Sequence, residues 1–306
     1  MLLSPSRLQC KATIVGTVVS TAHIRCQGHE LPMNRIVVTG GAGRLGHKVV
    51  ELLIQRGYDV LAIDQVRPAK MICPFLTVDL TDAASVCDAL KGTNTVIHLG
   101  AIPGPTSHHR TVTFQNNVVS TWNVADAVAP HDLQRLVFAS SVFTLGWHES
   151  AERYWPEYVP VDEEHPPTPF EAYGLSKVLG EETVAMVSRQ TGGAAVSLRI
   201  MNVIQEDAFR DIPWPAPTIE HPMRFVLWPY VHIHDAAMAC CQALEADVSG
   251  HEAAFIAAKT IRFAADTADL LEQLARQVEI RKPLPGSASV ISIEKAKRLI
   301  GFDPKF

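Results

Sequence analysis

The sequence predicts an α/β protein built on a doubly wound parallel sheet, and three observations lead to this prediction. From residue 34 onward, short runs of apolar, β-branched residues alternate with longer segments of helical periodicity. The runs are apolar throughout, which is typical of parallel strands that helices cover on both faces. Glycines follow the first run directly, at the point where a strand would pass into a helix.

The predicted elements follow one another in a regular order. Strands are predicted over residues 35–39, 59–64, 75–80, 95–99, 135–141 and 196–203. Helices are predicted over residues 45–56, 81–90, 112–128 and 171–190. We expect Thr81 to cap the second helix, and Gly57 and Gly192 to end the first and the fourth.

The composition excludes several classes of protein. With 47% hydrophobic and 19% charged residues in 306, the chain can bury a large core and is not disordered. No apolar run reaches the roughly 20 residues of a membrane-spanning helix. A net charge of −5 without a basic cluster argues against nucleic-acid binding. Six cysteines without a CxxC pattern are expected to be reduced thiols, which predicts a cytoplasmic location.

A glycine-rich motif follows the first predicted strand. Gly41, Gly43 and Gly46 form the pattern G-x-G-x-x-G, in which the backbone can turn sharply and approach a pyrophosphate at a helix N-terminus. Asp64 closes the second strand, 18 residues after Gly46, where a carboxylate can hold ribose hydroxyls and repel a 2′-phosphate. The motif and Asp64 predict a Rossmann-type site that favours NAD over NADP. Arg44 could instead bind the 2′-phosphate of NADP.

Tyr173 and Lys177 are the candidate catalytic pair. Their spacing of four places both on one face of the helix that follows the fifth strand. A nearby ammonium favours the phenolate, so Tyr173 could take a proton from a substrate hydroxyl. Ser140 and Ser141 end the fifth strand at the ligand-binding edge of the sheet, where a hydroxyl can hydrogen-bond the same oxygen. A surface pair and a turn serine are the alternative interpretations.

Together these residues resemble the extended short-chain dehydrogenase/reductases, the NAD-dependent epimerase/dehydratase family. The resemblance extends along nearly all of residues 35–306. Further motifs that carry it are Val78-Asp79-Leu80, Ile97-His98-Leu99-Gly100-Ala101, Asn116-Asn117-Val118, Leu198-Arg199-Ile200-Met201-Asn202, the stretch 230–237 and the ending 296–302.

The resemblance implies a role for each site residue. Tyr173 would be the acid/base, Ser141 would orient the substrate oxygen, and Lys177 would hold the nicotinamide ribose. Asn117 would support this array through the backbone near Lys177 or an ordered water. The implied contacts with NAD are made by Gly40, Gly43, Arg44, Leu45, Gly46, Asp64, Asp79, Leu80, Leu99, Gly100, Ala101, Asn117, Tyr173, Lys177 and Met201, and those with substrate by Ser141 and Asn202.

We expect the chain to fall into three parts. Residues 33–203 would form the NAD(P)-binding Rossmann domain, and residues 204–306 a small substrate-binding subdomain, with residues 230–260 returning to the Rossmann core. Residues 1–32 stand outside the alternating pattern. They are either a basic targeting leader or an extension upstream of a natural start at Met33.

The predicted function is that of an NAD(P)-dependent oxidoreductase or epimerase that transfers a hydride at a sugar or nucleotide-sugar hydroxyl. Only 29 residues separate Asn202 from His232, a stretch that is longer in nucleotide-sugar members of the family. The alternative is therefore oxidation of a free sugar acid, as in the similar uronate dehydrogenases, with Arg199 or Arg210 pairing the carboxylate. A redox sensor that binds dinucleotide without turnover is the alternative from a different class.

Two further groups of residues have open interpretations. The aromatic residues Trp147, Tyr154, Trp155 and Tyr158 could wall a sugar-sized pocket or pack among themselves. His232 and His234 alternate as metal ligands can, but no third ligand is evident, so no metal is predicted.

The expected partners follow from the resemblance and the composition. The family commonly pairs two helices of each subunit, so the predicted helices over residues 112–128 and 171–190 imply a homodimer. Besides a second copy, the expected partner is a small sugar-type substrate, with no nucleic acid and no membrane.

Overall fold

The computed structural model describes residues 35–70, 72–146, 155–221 and 223–306. The strands of this part are β1 (Ile36–Thr39), β2 (Val60–Asp64), β3 (Phe75–Thr77), β4 (Thr95–His98), β5 (Arg135–Ser141), β6 (Tyr158–Val159), β7 (Ala194–Ile200), β8 (Asn202–Ile204), β9 (Tyr230–His232), β10 (His251–Ile256) and β11 (Glu279–Ile280). The helices are α1 (Arg44–Gln55), α2 (Ala83–Ala89), α3 (Arg110–Val128), α4 (Ala172–Thr191), α5 (Glu206–Phe209), α6 (Ile233–Glu245), α7 (Thr267–Leu274) and α8 (Glu294–Ile300).

The central sheet has the strand order β10-β7-β5-β4-β1-β2-β3, and all its pairings are parallel. The chain runs outward from β1 to β3 and then crosses to β4 on the other side, so the strand order reverses between β1 and β4. In such sheets the ligand crevice lies outside the carboxyl ends of the strands at the reversal. The predicted α/β class with a Rossmann-type doubly wound sheet is confirmed.

Helices cover both faces of the sheet because the strands are apolar on both. Val37 of β1 packs with Val124 of α3 and Val184 of α4, whereas the adjacent Val38 packs in the core that holds Val49 of α1 and Ala236 of α6. Successive side chains of a strand point to opposite faces, so each core receives alternate residues. The result is a three-layer arrangement with the sheet in the middle.

The later part of the chain contributes to the central sheet and to two smaller ones. β10 pairs with β7 at the edge of the central sheet. β8 begins two residues after β7 ends and pairs with β9, while β6 pairs with β11. These short pairings hold the segments that lie beyond the carboxyl ends of the central strands.

Three predicted details differ from the structure. The second helix begins at Ala83 with Asp82 as its cap, not Thr81, because Thr81 donates its hydroxyl and its N–H to the Asp79 carboxylate. The third strand has three residues instead of six. The sixth predicted strand is interrupted at Met201, since the chain leaves β7 there to pair with β9.

Three of the described cysteines agree with the expectation of reduced thiols. Cys73, Cys240 and Cys241 are free. Cys10 and Cys26 lie outside the described residues, as does the whole segment 1–32. In the described part of the chain, no helix is long and apolar enough to cross a membrane.

A buried ion pair ties α4 to the sheet. Arg199 of β7 donates from Nε and Nη2 to the Glu181 carboxylate of α4, at 3.0 and 2.8 Å. The hydroxyl of Ser140 in β5 donates to the same carboxylate. Because all three side chains are buried, this carboxylate fixes α4 against two neighbouring strands.

Replacing Glu181 by alanine is expected to lower the free energy of unfolding by about 3–5 kcal/mol, because Arg199 would keep a buried charge without its carboxylate. The next residue, Glu182, is exposed and provides the matched control, with an expected change for Glu182→Ala within about 0.5 kcal/mol. Urea denaturation monitored by circular dichroism measures both changes. Equal losses in the two variants would contradict a stabilising role for the buried pair.

Candidate active site

A cleft of about 560 Å³ opens at the carboxyl ends of the central strands. Its walls are the glycine loop before α1, the segment after β4, the end of β5, the start of α4 and the chain between β7 and α5. The strand order reverses at this place, so the cleft lies where the fold predicts a ligand crevice.

The glycine loop brings the backbone close to the cleft. Gly40 has a φ of +70°, and a Cβ there would lie 2.7 Å from the backbone nitrogen of Gly100. A Cβ on Gly46 would overlap the carbonyl oxygen of Gly40. Gly43 caps α1 without a side-chain hydrogen bond, and the first turn has no acidic residue. The N-terminal N–H groups of α1 are therefore left for an anionic group in the cleft, such as a pyrophosphate.

Asp64 is held against this loop at the end of β2. Its Oδ2 accepts from the N–H of Ala42 at 3.0 Å, and its Oδ1 accepts from the N–H of Gln65 at 2.7 Å. The carboxylate lines the cleft together with the exposed Arg44. A carboxylate and a guanidinium thus stand at the same end of the cleft, and both could meet an adenosine ribose.

Ser141, Tyr173 and Lys177 converge at the other end of the cleft. The phenol of Tyr173 takes part in hydrogen bonds with the side chain of Ser141 and the backbone of Gly104. Lys177 donates from Nζ to the carbonyl oxygen of Ala139 at 2.8 Å, and Nζ lies 5.6 Å from the centroid of the Tyr173 ring. A hydroxyl, a phenol and an ammonium are therefore neighbours in one part of the cleft wall, and these are the groups that an acid/base site requires.

Burial shifts the pKa values of both ionisable groups in this cluster. It raises the pKa of Tyr173, against the hydrogen bonds from Ser141 and Gly104, which lower it. It lowers the pKa of Lys177 to about 8, against the attraction of the Glu181 carboxylate. Without a ligand the phenolate is thus disfavoured, and an added positive charge in the cleft would favour it.

The N-terminus of α4 is fixed by Glu171. Its carboxylate accepts hydrogen bonds from the N–H groups of Tyr173 and Gly174, so it caps the helix. The cap sets the first turn of α4 beside the end of β5, with the ring of Phe143 edge-on to Tyr173 at a centroid distance of 5.6 Å. The position of the phenol therefore depends on this helix start.

Asn117 of α3 lies behind the cleft wall and not in it. Its Oδ1 accepts a hydrogen bond from the N–H of Ile102 at 2.8 Å. Its Nδ2 donates to the carbonyl oxygen of Ile102 at 3.1 Å and to the hydroxyl of Ser176 at 3.3 Å. It thereby joins the segment after β4 to α4 one residue before Lys177. Asn117 is buried among protein groups and does not line the cleft, and its expected NAD contact stays a prediction.

His98 completes the polar layer beneath the cleft. Its Nδ1 is 2.7 Å from the hydroxyl of Thr39, and its Nε2 is 3.2 Å from the hydroxyl of Thr121. Burial, aided by the charge of Lys177, lowers its pKa to about 3. The imidazole is therefore neutral at physiological pH and links the ends of β1 and β4 to α3.

The structure brings most of the predicted site residues to the cleft wall. Those that line it are Gly40, Gly43, Arg44, Leu45, Gly46, Asp64, Leu80, Leu99, Gly100, Ala101, Ser141, Tyr173, Lys177, Met201 and Asn202. Asn117 and Asp79 do not, and the Asp79 carboxylate instead accepts hydrogen bonds from Thr81.

The sequence analysis did not predict some of the residues that line the cleft. Gln65 and the segment 102–104 directly follow the predicted site residues Asp64 and Ala101, so their position in the sequence could have indicated that they line the cleft. Gln205 lies beyond the end of β8 and carried no signal in the sequence.

The structure shows the contacts of two of the aromatic residues, and of both arginines, that were considered as parts of a substrate pocket. Trp155 packs on Phe225 at a centroid distance of 5.1 Å and does not line the cleft. Tyr158 donates its hydroxyl to Asp162. Arg199 is engaged by Glu181, and Arg210 is exposed outside the cleft wall. Trp147 and Tyr154 lie outside the described residues.

The first of the two alternating histidines, His232, makes contacts with neighbouring protein groups. His232 caps α6 by accepting from the N–H of His234 at 3.2 Å, and its ring lies 4.3 Å from that of Phe306. In the part of the chain that the structure describes, no group of three or more candidate ligands could hold a metal ion.

Residues 36–257 match the sequence model of the NAD dependent epimerase/dehydratase family. A uronate dehydrogenase of Pseudomonas putida is 33% identical over 174 residues, which cover 55% of this chain and 61% of that protein. A UDP-glucose 4-epimerase of Corynebacterium glutamicum is 26% identical over 315 residues, covering 89% and 91% of the two chains.

A solved structure shares the fold. It is a short-chain dehydrogenase/reductase superfamily protein from Agrobacterium tumefaciens with bound NAD, with a TM-score of 0.68, 27% identity and coverage of 89% and 93% of the two chains. The match to the Pseudomonas protein spans less than two thirds of that protein, and it leaves the remainder of both chains unmatched.

The buried ammonium of Lys177 gives a pH dependence of stability that can be measured. Burial lowers its pKa from 10.5 to about 8, so between these pH values the unfolded chain binds more protons than the folded one and stability rises with pH. Lys177→Met removes this titration. Relative to that variant, the wild type is expected to gain up to about 3 kcal/mol of unfolding free energy between pH 8 and pH 10.5. A difference that stays constant with pH would contradict a buried ammonium.

Proposed function

The chain belongs to the NAD dependent epimerase/dehydratase family, and on this premise we propose that it oxidises a hydroxyl of a free sugar with NAD. The matching family is described as NAD dependent, and the relatives named above are a uronate dehydrogenase and a UDP-glucose 4-epimerase. The observation that carries the proposal is the convergence of Ser141, Tyr173 and Lys177 in one cleft with the glycine loop.

The residues of the glycine-loop end fit NAD. At Gly40 and Gly46 the backbone passes so close to neighbouring backbone that no Cβ fits, which is the tight turn that a pyrophosphate-binding loop needs. Asp64 would accept hydrogen bonds from the adenosine ribose hydroxyls, and its negative charge disfavours the 2′-phosphate of NADP. Arg44 at the same end is exposed and free to turn towards solvent. NAD is therefore the proposed cofactor.

The proposed chemistry is the removal of a proton and a hydride from one carbinol. When bound, NAD supplies the hydride acceptor and a positive charge. Tyr173 takes the hydroxyl proton on its phenolate oxygen, and Ser141 holds the same substrate oxygen by a hydrogen bond. Lys177 stabilises the phenolate electrostatically and offers donors to a ribose hydroxyl. Asn117 acts as a positioning residue through Ile102 and Ser176.

The length of chain beyond Asn202 favours a free sugar. The 29 residues between Asn202 and His232 form, where described, only β8, the four-residue α5 and a short 3₁₀ turn before β9. Such a segment has little chain with which to enclose a nucleoside diphosphate. The name of the Pseudomonas relative, a uronate dehydrogenase, supports the same substrate size.

The second candidate function is that of a nucleotide-sugar epimerase. The Corynebacterium UDP-glucose 4-epimerase aligns with 89% of this chain, including the segment beyond Asn202. An epimerase returns the hydride to the opposite face of the same carbon and releases no reduced cofactor. Net formation of NADH from a free sugar separates the two candidates.

A second copy of the chain is the proposed partner of α3 and α4. These helices pack together, and their outward face exposes Val112, Val119, Trp122, Leu175 and Leu179. An apolar face of this kind is typical of an interface. We therefore propose a homodimer through this face, and a cytoplasmic location stays a prediction.

Replacing Tyr173 by phenylalanine tests the proposed acid/base. The variant is expected to lose NADH formation from a substrate sugar by at least about 100-fold, because a phenylalanine ring cannot take the hydroxyl proton. Its affinity for NAD, measured by calorimetry, should stay unchanged. Tyr58 is partly exposed and remote from the cleft, so Tyr58→Phe is the control. Unchanged turnover in Tyr173→Phe would overturn the mechanism.

A further inference from the structure

Residues 202–209, which we call the bridging segment, run along one wall of the cleft. Asn202 and Gln205 of this segment line the cleft, and Glu206 follows directly at the start of α5. The Glu206 carboxylate lies 3.8 Å from Nζ of Lys48, in the second turn of α1. The bridging segment therefore connects the carboxyl end of β7 with the helix that follows the glycine loop.

The first residues of the bridging segment are fixed to β9. β8, which holds Asn202, pairs in parallel with β9. Oδ1 of Asn202 accepts a hydrogen bond from Nη2 of the buried Arg262 at 3.2 Å. The same Nη2 donates to the carbonyl oxygen of Pro229, directly before β9, at 3.2 Å. Main-chain and side-chain hydrogen bonds thus hold this end of the segment.

Phe209, at the other end of the bridging segment, packs in a cluster of aromatic rings. Its ring centroid lies 4.8 Å from that of His232 and 6.0 Å from that of Phe306. The rings of His232 and Phe306 are themselves 4.3 Å apart. Because α5 has only four residues, its own hydrogen bonds give it little stability. The ring contacts are therefore what holds this end in place.

A buried carboxylate brings Phe306 to this cluster. Oδ2 of Asp235 accepts hydrogen bonds from the N–H groups of Lys305 and Phe306, both at 3.0 Å. Asp235 is 3% exposed and lies in the first turn of α6, which His232 caps. Hydrogen bonds to a carboxylate are stronger than those between neutral groups, so they fix the backbone at Phe306. A continuous series of contacts thus leads from Asp235 through Phe306 and Phe209 to the cleft wall.

The two ends of the bridging segment locate it along the cleft. It begins two residues after Ile200, which pairs with Ser141 across β5 and β7. It reaches Lys48 of α1, the helix whose N-terminus would bind the pyrophosphate. Asp64, at the adenosine end, lies on β2, on the far side of β1. The segment therefore spans the part of the cleft that the pyrophosphate and the nicotinamide would occupy.

We propose that the bridging segment encloses bound NAD along its pyrophosphate and nicotinamide half, with Gln205 as the contact residue and Phe209 and Phe306 as positioning residues. The side-chain amide of Gln205 offers donors that suit pyrophosphate oxygens. A segment that is already fixed does not have to be ordered when NAD binds, which favours affinity. This inference rests on the proposed function and assigns further residues to its cofactor site.

Alanine variants of the two positioning residues test the inference, because neither Phe209 nor Phe306 lines the cleft. Phe306→Ala and Phe209→Ala are each expected to weaken NAD binding, measured by calorimetry, by about 5- to 30-fold. The reason is that apparent affinity falls with the fraction of molecules whose segment is in the binding position. Phe306→Tyr keeps the ring and should keep the affinity. Ile280→Ala is the matched control, since Ile280 is 46% exposed like Phe306 and lies on β11 outside the cleft wall.

A double variant separates positioning from a general loss of structure. Gln205→Ala removes the contact itself, so adding Phe306→Ala to it should weaken NAD binding little further. Independent effects would multiply instead, because distant sites are normally additive in free energy. Phe306 is half exposed, so its variants keep the test valid if Phe209→Ala does not fold.

The contrary outcomes are distinct. Wild-type NAD affinity in Phe306→Ala and Phe209→Ala would overturn the inference, as would losses that multiply in the double variant. NADH formation by the wild type would leave the proposed function standing in both cases. A wild type that does not bind NAD would overturn the inference and the proposed function together.

Discussion

The candidate site depends on the direct packing of one face of α4 on β5. No Cβ fits at Gly180, where it would overlap the ring of Phe138, or at Gly174, where it would overlap a carbonyl oxygen after β5. Between these two glycines, Lys177 reaches the carbonyl oxygen of Ala139. Residues three and four apart share a helix face, so the glycines that permit the contact also place Tyr173 and Lys177 beside the end of the strand. Packing and chemistry therefore use the same residues.

Two buried cations at the cleft are arranged before a ligand binds, at a cost to stability. Burial lowers the pKa of Lys177 to about 8 and that of Arg262 to about 10, which shows that the surroundings disfavour both charges. Arg199, by contrast, is buried with the carboxylate of Glu181 and serves the fold. A charge that the protein holds in a fixed position acts on a ligand without further reorganisation. We therefore propose that Lys177 serves a ligand in the cleft, whereas Arg199 serves packing.

Local sequence patterns predicted the parts of the site that are built from contiguous residues. The glycine loop, Asp64 at a strand end and the Tyr173/Lys177 spacing all reach the cleft, because parallel strands bring their carboxyl ends to one edge. The position of Asn117 behind the wall could not be read from the sequence, since it depends on how α3 packs against α4. Arg262 was missed because its contact with Asn202 joins segments 60 residues apart and follows no periodic pattern.

We propose that the cleft binds NAD together with a free sugar and has no nucleoside diphosphate site besides the one for the adenosine half of NAD. Calorimetric titration of the full chain with NAD, UDP and UDP-glucose tests it directly. We predict that NAD binds and that neither UDP nor UDP-glucose does, with or without NAD present. UDP binding in the presence of NAD would contradict the free-sugar assignment and restore the epimerase, and failure of NAD to bind would contradict the assignment of the glycine-loop end.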